Sequence, residues 1–155
     1  MTTTYLVLHN IRSAHNVGSI FRTADAAGVE KIFLTGYTPT PIDRHGRARK
    51  DIAKTALGAE QTVSWEYSRQ PATVISRLKT NRIQIVGVEQ DERAGALRDF
   101  SIPERVCWIL GNEVHGLSSQ LRDRCNELVE IPMHGTKESL NVAVAAGIVL
   151  FCGRC

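Results

Sequence analysis

Residues 106–151 read VCWILGNEVHGLSSQLRDRCNELVEIPMHGTKESLNVAVAAGIVLF, and this stretch decides the fold. An apolar run at 106–110 halts at Gly111-Asn112-Glu113, and a second at 128–131 halts at Pro132-Met133-His134-Gly135. Short apolar runs bounded by glycine and proline are the pattern of buried strands that feed loops. Ser139 then stands where a helix cap is expected, ahead of a run at 142–151 that is apolar on nearly every side, as in a helix enclosed by protein. Loops at the carboxyl ends of parallel strands are where α/β sheets bind ligands, so these two loops are the first candidates for a site.

Upstream, strand-like and helix-like segments alternate. Residues 5–9 read as a strand, and 10–15 as a polar loop carrying Arg12 and His15. A helix is expected from Asn16, a good cap type, to just before Gly28. At 100° per residue Val17, Ile20, Phe21, Ala24 and Ala27 share one stripe, while Arg22 points away from it on the side of Gly18. Residues 31–35 read as a strand, 36–41 as a loop with two prolines, and 44–50 as an exposed, flexible basic loop leading to a short helix that ends near Gly58. A strand at 62–65, a helix at 72–78 and a buried strand at 83–88 follow, then a long polar loop at 91–101 anchored by Leu97 and Phe100. This alternation predicts an α/β fold: a mostly parallel sheet with helices on both faces.

The length of 155 residues suits a single domain spanning 1–155. A net charge of +3 and a pI near 8.8 are compatible with a nucleic-acid partner, but so mild an excess decides little. The first residues lack the basic start and apolar core of a signal peptide, and the late apolar run is too short to span a bilayer, which predicts a soluble, cytoplasmic protein without membrane partners. Of Cys107, Cys125, Cys152 and Cys155 only the last two have metal-like spacing; no two further ligands accompany them, so free thiols and no metal are expected.

The pattern G-N-E-x-x-G-L-S at 111–118, followed by I-P-M-x-G-x-x-x-S-L-N-V-A-V-A at 131–145 and preceded by N-x-G-x-x-x-R at 16–22, resembles the SpoU/TrmH family of RNA ribose 2′-O-methyltransferases, of the SPOUT superfamily. The resemblance implies a carboxyl-terminal trefoil knot, a homodimer that completes the active site, and S-adenosylmethionine as methyl donor. It implies a single SpoU-type domain without an added RNA-binding domain, acting on transfer or ribosomal RNA; size leans toward transfer RNA. The alternative is a non-catalytic RNA- or nucleotide-binding protein with the same fold. A dinucleotide-dependent oxidoreductase would need G-x-G-x-x-G after an early strand, and that pattern is absent.

By the same resemblance Val88, Glu89, Leu110, Gly111, Asn112, Ile131, Met133, Ser139 and Leu140 would surround the cofactor. Taken singly, the apolar ones read as core rather than pocket; only their place at loop starts favours a pocket. Gly111 would let the backbone approach the ligand closely. Arg22, Asn16, Glu113, Ser139 and Asn141 would form the catalytic set. Methyl transfer expels a neutral thioether, so the difficulty lies in the weak hydroxyl nucleophile and its developing charge. Arg22 suits orientation and charge stabilisation through its planar fork; a guanidinium is a poor base, so the proton acceptor stays open. Without the motif Arg22 reads as a surface cation paired with Asp25, and Asn16 and Ser139 as helix caps. Arg12, Arg44, Arg47, Arg49 and Lys50 are the candidate phosphate contacts, or else a solvated loop.

Overall fold

The computed structural model describes residues 1–154. Seven strands form one sheet: β1 (Thr3–His9), β2 (Lys31–Thr35), β3 (Trp65–Ser68), β4 (Gln84–Val88), β5 (Gly95–Ala96), β6 (Arg105–Leu110) and β7 (Glu127–Glu130). Their order across the sheet is β3-β2-β1-β6-β4-β7-β5, and every adjacent pair is parallel. Six helices connect them: α1 (Ala14–Ala27), α2 (Lys50–Ala56), α3 (Ala59–Thr62), α4 (Pro71–Thr80), α5 (Ser119–Arg124) and α6 (Val142–Phe151).

The central strands are buried on both faces, and period-two alternation sorts their side chains into two cores. Leu6 and Leu8 of β1 and Val106, Trp108 and Leu110 of β6 face α1, α2 and α6, where Ile20, Phe21, Ile52 and Ala146 are fully enclosed. Val7, Cys107 and Ile109 face the other way, against Val74, Ile75 and Leu78 of α4 and Leu121 of α5. Helices therefore cover both faces, as the alternation predicts. Phe100 meets Trp108 edge-on at 5.8 Å between ring centroids, and Leu97 is buried, so both anchor their connection.

Several local expectations need correction. Ser13, not Asn16, caps α1, its hydroxyl accepting from the Asn16 amide. Asn141, not Ser139, caps α6, accepting from the amides of Ala143 and Val144. In both cases another Asn or Ser lay within three residues, and composition alone does not choose between them. The third strand is Trp65–Ser68, because residues 59–62 form a helical turn. The 91–101 connection contributes an edge strand of two residues, too short to show a period. Gly18 does not flank Arg22 on an open face: a Cβ there would stand 2.4 Å from the Ile52 carbonyl oxygen, so this glycine lets α1 and α2 pack closely. Finally, α6 is not enclosed. Val144 is 51% exposed and Ile148 38%, continuing from Leu140 at 40% with a spacing of four.

Candidate active site at the carboxyl ends of the strands

Three connections meet at the carboxyl edge of the sheet, and a cavity lies among them. Val88, Glu89 and Gln90 follow β4, Leu110 to Glu113 follow β6, and Ile131 and Met133 follow β7; Ser139 and Leu140 approach from the segment before α6. All nine residues expected around a cofactor thus line one cavity. Residues that sequence reading missed also line it: Gln90, Val114, Gly116, Glu130, Glu138, Val142 and Ala145. Val142 and Ala145 carried a legible signal, being three apart on one helix face; Glu130 and Glu138 had none beyond lying at a strand end and in a loop.

The β6 loop is braced from within. The Asn112 amide nitrogen donates to the Asn10 carbonyl at 2.9 Å and to the Tyr37 phenol oxygen at 2.8 Å, while its oxygen accepts from the amides of Val114 and His115. Its side chain is therefore committed to holding the loop, although the residue borders the cavity. Gly111, which lines the cavity, also lets the loop pack closely: a Cβ would stand 2.7 Å from Gly116 and from Leu117. Glu89 accepts from the Leu117 amide at 2.7 Å and from the Gln90 amide at 3.0 Å. Gly116, at φ 63°, leaves no room for a Cβ beside that carboxylate.

Glu113 reaches out of the loop to α1. Its two carboxylate oxygens accept from the amides of Arg12 and Ser13 at 3.0 and 3.1 Å, satisfying donors at a helix start where negative charge is favoured. Asn141 extends its amide nitrogen to the Asn16 side-chain oxygen at 3.3 Å. Asn16, Glu113, Ser139 and Asn141 are thus gathered around the junction of α1, the β6 loop and the start of α6. Arg22 is not brought to the cavity wall. It is exposed on α1 and makes no hydrogen bond or ion pair with any described residue; Asp25, its expected surface partner, accepts from Thr62 instead.

Beyond Glu89, Asp91 pairs with Arg93 at 3.1 Å and Arg122 at 2.9 Å, fastening the β4 connection to α5. The Arg93 guanidinium hydrogen-bonded to it, above all, holds its carboxyl well below the usual carboxylate range. A depressed pKa means this link is complete above the ordinary carboxylate range and is lost only as acid protonates the folded state. Burial pushes the Cys125 thiol up to about 11 and Cys107 further, so neither is an activated nucleophile near neutrality. Among the described residues no three His, Cys, Asp or Glu side chains are placed to hold a metal, and Cys155 lies outside them. No described helix is long and apolar enough to cross a membrane.

The basic connection is exposed but ordered around an acid. Asp43 accepts from the amides of His45 and Arg47 and pairs with Arg47 at 3.3 Å, and Ile42 bridges Ala48. Arg49 is taken by Asp51 at 2.8 Å, and Arg44 lies against His45. Arg12 and Lys50 make no side-chain ion pair with described residues and are exposed.

The cavity has a chemical bias. Its walls hold four glutamates, Glu89, Glu113, Glu130 and Glu138, with apolar side chains and no lysine or arginine. Such a lining accommodates a cationic, partly apolar molecule better than a phosphate.

Known proteins share this fold and much of this sequence. The chain is 36% identical over 145 residues to the 23S rRNA (guanosine-2'-O-)-methyltransferase RlmB of Neisseria meningitidis, covering 94% of this chain and 55% of that protein. It is 34% identical to the RlmB of Escherichia coli, covering 94% and 57%. The chain spans little more than half the length of these curated relatives. An AdoMet-bound rRNA methyltransferase from Sinorhizobium meliloti superposes with a TM-score of 0.86 at 29% identity, over 98% of this chain and 56% of that one. The SpoU methyltransferase AviRb from Streptomyces viridochromogenes, in complex with AdoMet, gives 0.83 at 26%, over 97% and 58%. The profile of the SpoU rRNA Methylase family matches residues 3–151, which takes in every strand, every helix and the whole cavity, and the chain therefore belongs to that family.

Proposed function

We propose that this chain carries an S-adenosylmethionine-dependent activity that methylates a ribose 2′-hydroxyl of RNA. The observation that carries the reading is the cavity at the ends of β4, β6 and β7, apolar and acidic with no basic side chain, in a chain of this family. When bound, S-adenosylmethionine supplies an electrophilic methyl group on a cationic sulfur. The chain's apolar residues Leu110, Ile131, Met133 and Leu140 would hold its adenosine part, and Glu130 or Glu138 suits its positive charge. Asn16, Glu113, Ser139 and Asn141 border the place where the ribose would enter, with Glu113 and Asn141 fixing α1 relative to the loops. Arg22, which would reach the cavity of a second copy, would supply a cation for phosphate and the developing oxyanion.

Arg22 lies outside the lining of its own chain's cavity, and Leu140, Val144 and Ile148 expose an apolar stripe beginning at the cavity rim. Both features support a homodimer in which α6 packs against a second copy. The crossed strand order β6-β4-β7-β5, with α6 returning to α1, supports the trefoil knot expected from the resemblance. The relatives' names point to ribosomal RNA as the substrate, and we take ribosomal RNA. Of the candidate phosphate contacts, Arg12, Arg44 and Lys50 make no ion pair with a carboxylate among the described residues and would follow the phosphates.

The test is transfer of labelled methyl from S-adenosylmethionine to RNA from cells lacking this protein, followed by mapping of the labelled nucleotide. Label in a 2′-O-methylated nucleotide is expected, with Arg22→Ala losing about 100-fold or more in rate while keeping cofactor affinity. A folded Arg22→Ala protein that no longer binds cofactor would overturn the role given to Arg22. No label and no cofactor binding in the unaltered protein would favour a non-catalytic RNA-binding protein. Lys50→Gln should flatten the salt dependence of RNA binding by about one unit of slope, and Arg49→Gln by less because Asp51 already neutralises it.

A further inference from the structure

Tyr37 is 58% exposed, yet it is among the most carefully held side chains near the cavity. Its phenol oxygen accepts from the Asn112 amide nitrogen at 2.8 Å, and its backbone amide donates to the Asn10 side-chain oxygen at 3.1 Å. Asn10 makes that second bond from the left-handed region, at φ 55°, a conformation few non-glycine residues adopt. Gly36, at φ 65°, permits the approach: a Cβ there would collide with the Asn10 side chain. Tyr67, also exposed, donates its hydroxyl to the Gly36 carbonyl at 2.9 Å and steadies the same turn.

Two left-handed residues and a buried amide thus fix an aromatic ring that remains open to solvent. A ring wanted only for its hydroxyl would gain nothing from such exposure. A non-glycine residue held in the left-handed region beneath one exposed side chain points toward binding. The surroundings give the ligand's chemistry. Asn112 joins Tyr37 directly to a residue of the cavity wall, and Arg12 stands two residues beyond Asn10 with its side chain unpaired among the described residues. Tyr37 also lies near the start of the connection that carries Arg44 and leads to Lys50 at the start of α2.

We propose that Tyr37 is a stacking platform for an unpaired RNA base lying beside the nucleotide in the cavity. This rests on the RNA methyltransferase reading above. Single-stranded RNA is held by aromatic faces under its bases and cations along its phosphates, and Tyr37 with Arg12 and Lys50 supplies both. The bond from Asn112 to the phenol oxygen holds the ring by its edge, and more than half of the residue stays open to solvent for the base.

The experiment compares the unaltered protein with Tyr37→Leu and Tyr37→Phe in three measurements: affinity for a short unstructured RNA, affinity for S-adenosylmethionine, and methyl transfer to the RNA substrate. The expected result is RNA binding about tenfold weaker in Tyr37→Leu, unchanged in Tyr37→Phe, and cofactor affinity unchanged in both. Equal RNA binding by all three proteins would overturn the proposal. So would equal losses in Tyr37→Phe and Tyr37→Leu, because the phenol's bond to Asn112 would then be what matters. Methyl transfer separates the two readings: an active enzyme whose RNA affinity ignores Tyr37→Leu refutes the platform alone. Weaker RNA binding by Tyr37→Leu, with no methyl transfer by any form, supports the platform and refutes the reaction.

Discussion

The loops after β6 and β7 form facing walls of one cavity and are built on opposite principles. In the first, Asn112 makes four hydrogen bonds, Glu113 two and Glu89 secures Leu117. In the second, residues 132–140 make a single hydrogen bond to the rest of the described chain, from Gln90 to the Glu138 carbonyl at 2.6 Å. Residues 134–141 are all exposed, whereas Asn112 and Leu117 are buried. Segments with few buried contacts and few hydrogen bonds open at low free energy. One wall is thus a preformed template, and the other is a cover that a ligand can complete.

The largest expected effect breaks the braced wall. Asn112→Ala removes an amide whose loss strands the Val114 and His115 amides and the Asn10 carbonyl. Unsatisfied buried groups cost about 1–3 kcal/mol each, partly relieved by water here, so we expect a stability loss of about 2–4 kcal/mol. Denaturant unfolding measures it; a loss below about 1 kcal/mol would show that the bracing is decorative.

The next comparison pits glycine against glycine. Gly111→Ala forces a Cβ to within 2.7 Å of Gly116, and overpacking of backbone against backbone should cost about 1–3 kcal/mol. Gly135→Ala meets nothing within 4 Å at a position without positive φ, and should stay within about 0.5 kcal/mol. Equal thermal shifts in the two variants would erase the distinction between the walls.

The same contrast explains what could be read from sequence. Strand cores were legible because Val106–Leu110 and Leu128–Ile131 are long enough apolar runs to show burial on both faces, and the cavity followed from where those runs stop. The edge strand Gly95–Ala96 was not legible, since two residues carry no period. Nor were the caps: Ser13 and Asn141 win over Asn16 and Ser139 through geometry that composition does not encode. The packing demand on Gly111 is invisible until its neighbours Gly116 and Leu117 are placed. The apolar run of α6 signalled burial but could not say by what; its exposed stripe at Val144 and Ile148 is the part of that signal the chain alone does not satisfy. Arg22 was legible as an outward-facing cation.

The smallest expected effect sharpens the account of the cover. Gln90 lies on the braced side, in the connection fastened by Asp91 to Arg122, and its side chain supplies the sole hydrogen bond across to the 132–140 loop. Gln90→Ala removes that bond between exposed groups, which water replaces, so the unfolding midpoint should hardly move. Cofactor binding differs because it must order the loop, and the preformed bond lowers that ordering cost. An affinity loss of about threefold to tenfold is therefore expected, matching a net hydrogen bond of about 0.5–1.5 kcal/mol, read by calorimetric titration of S-adenosylmethionine. A fall in stability comparable to that of Asn112→Ala would mean the second loop is as integral as the first. Unchanged affinity would mean that the ligand alone shapes the cover, leaving the braced wall as the whole of the preformed site.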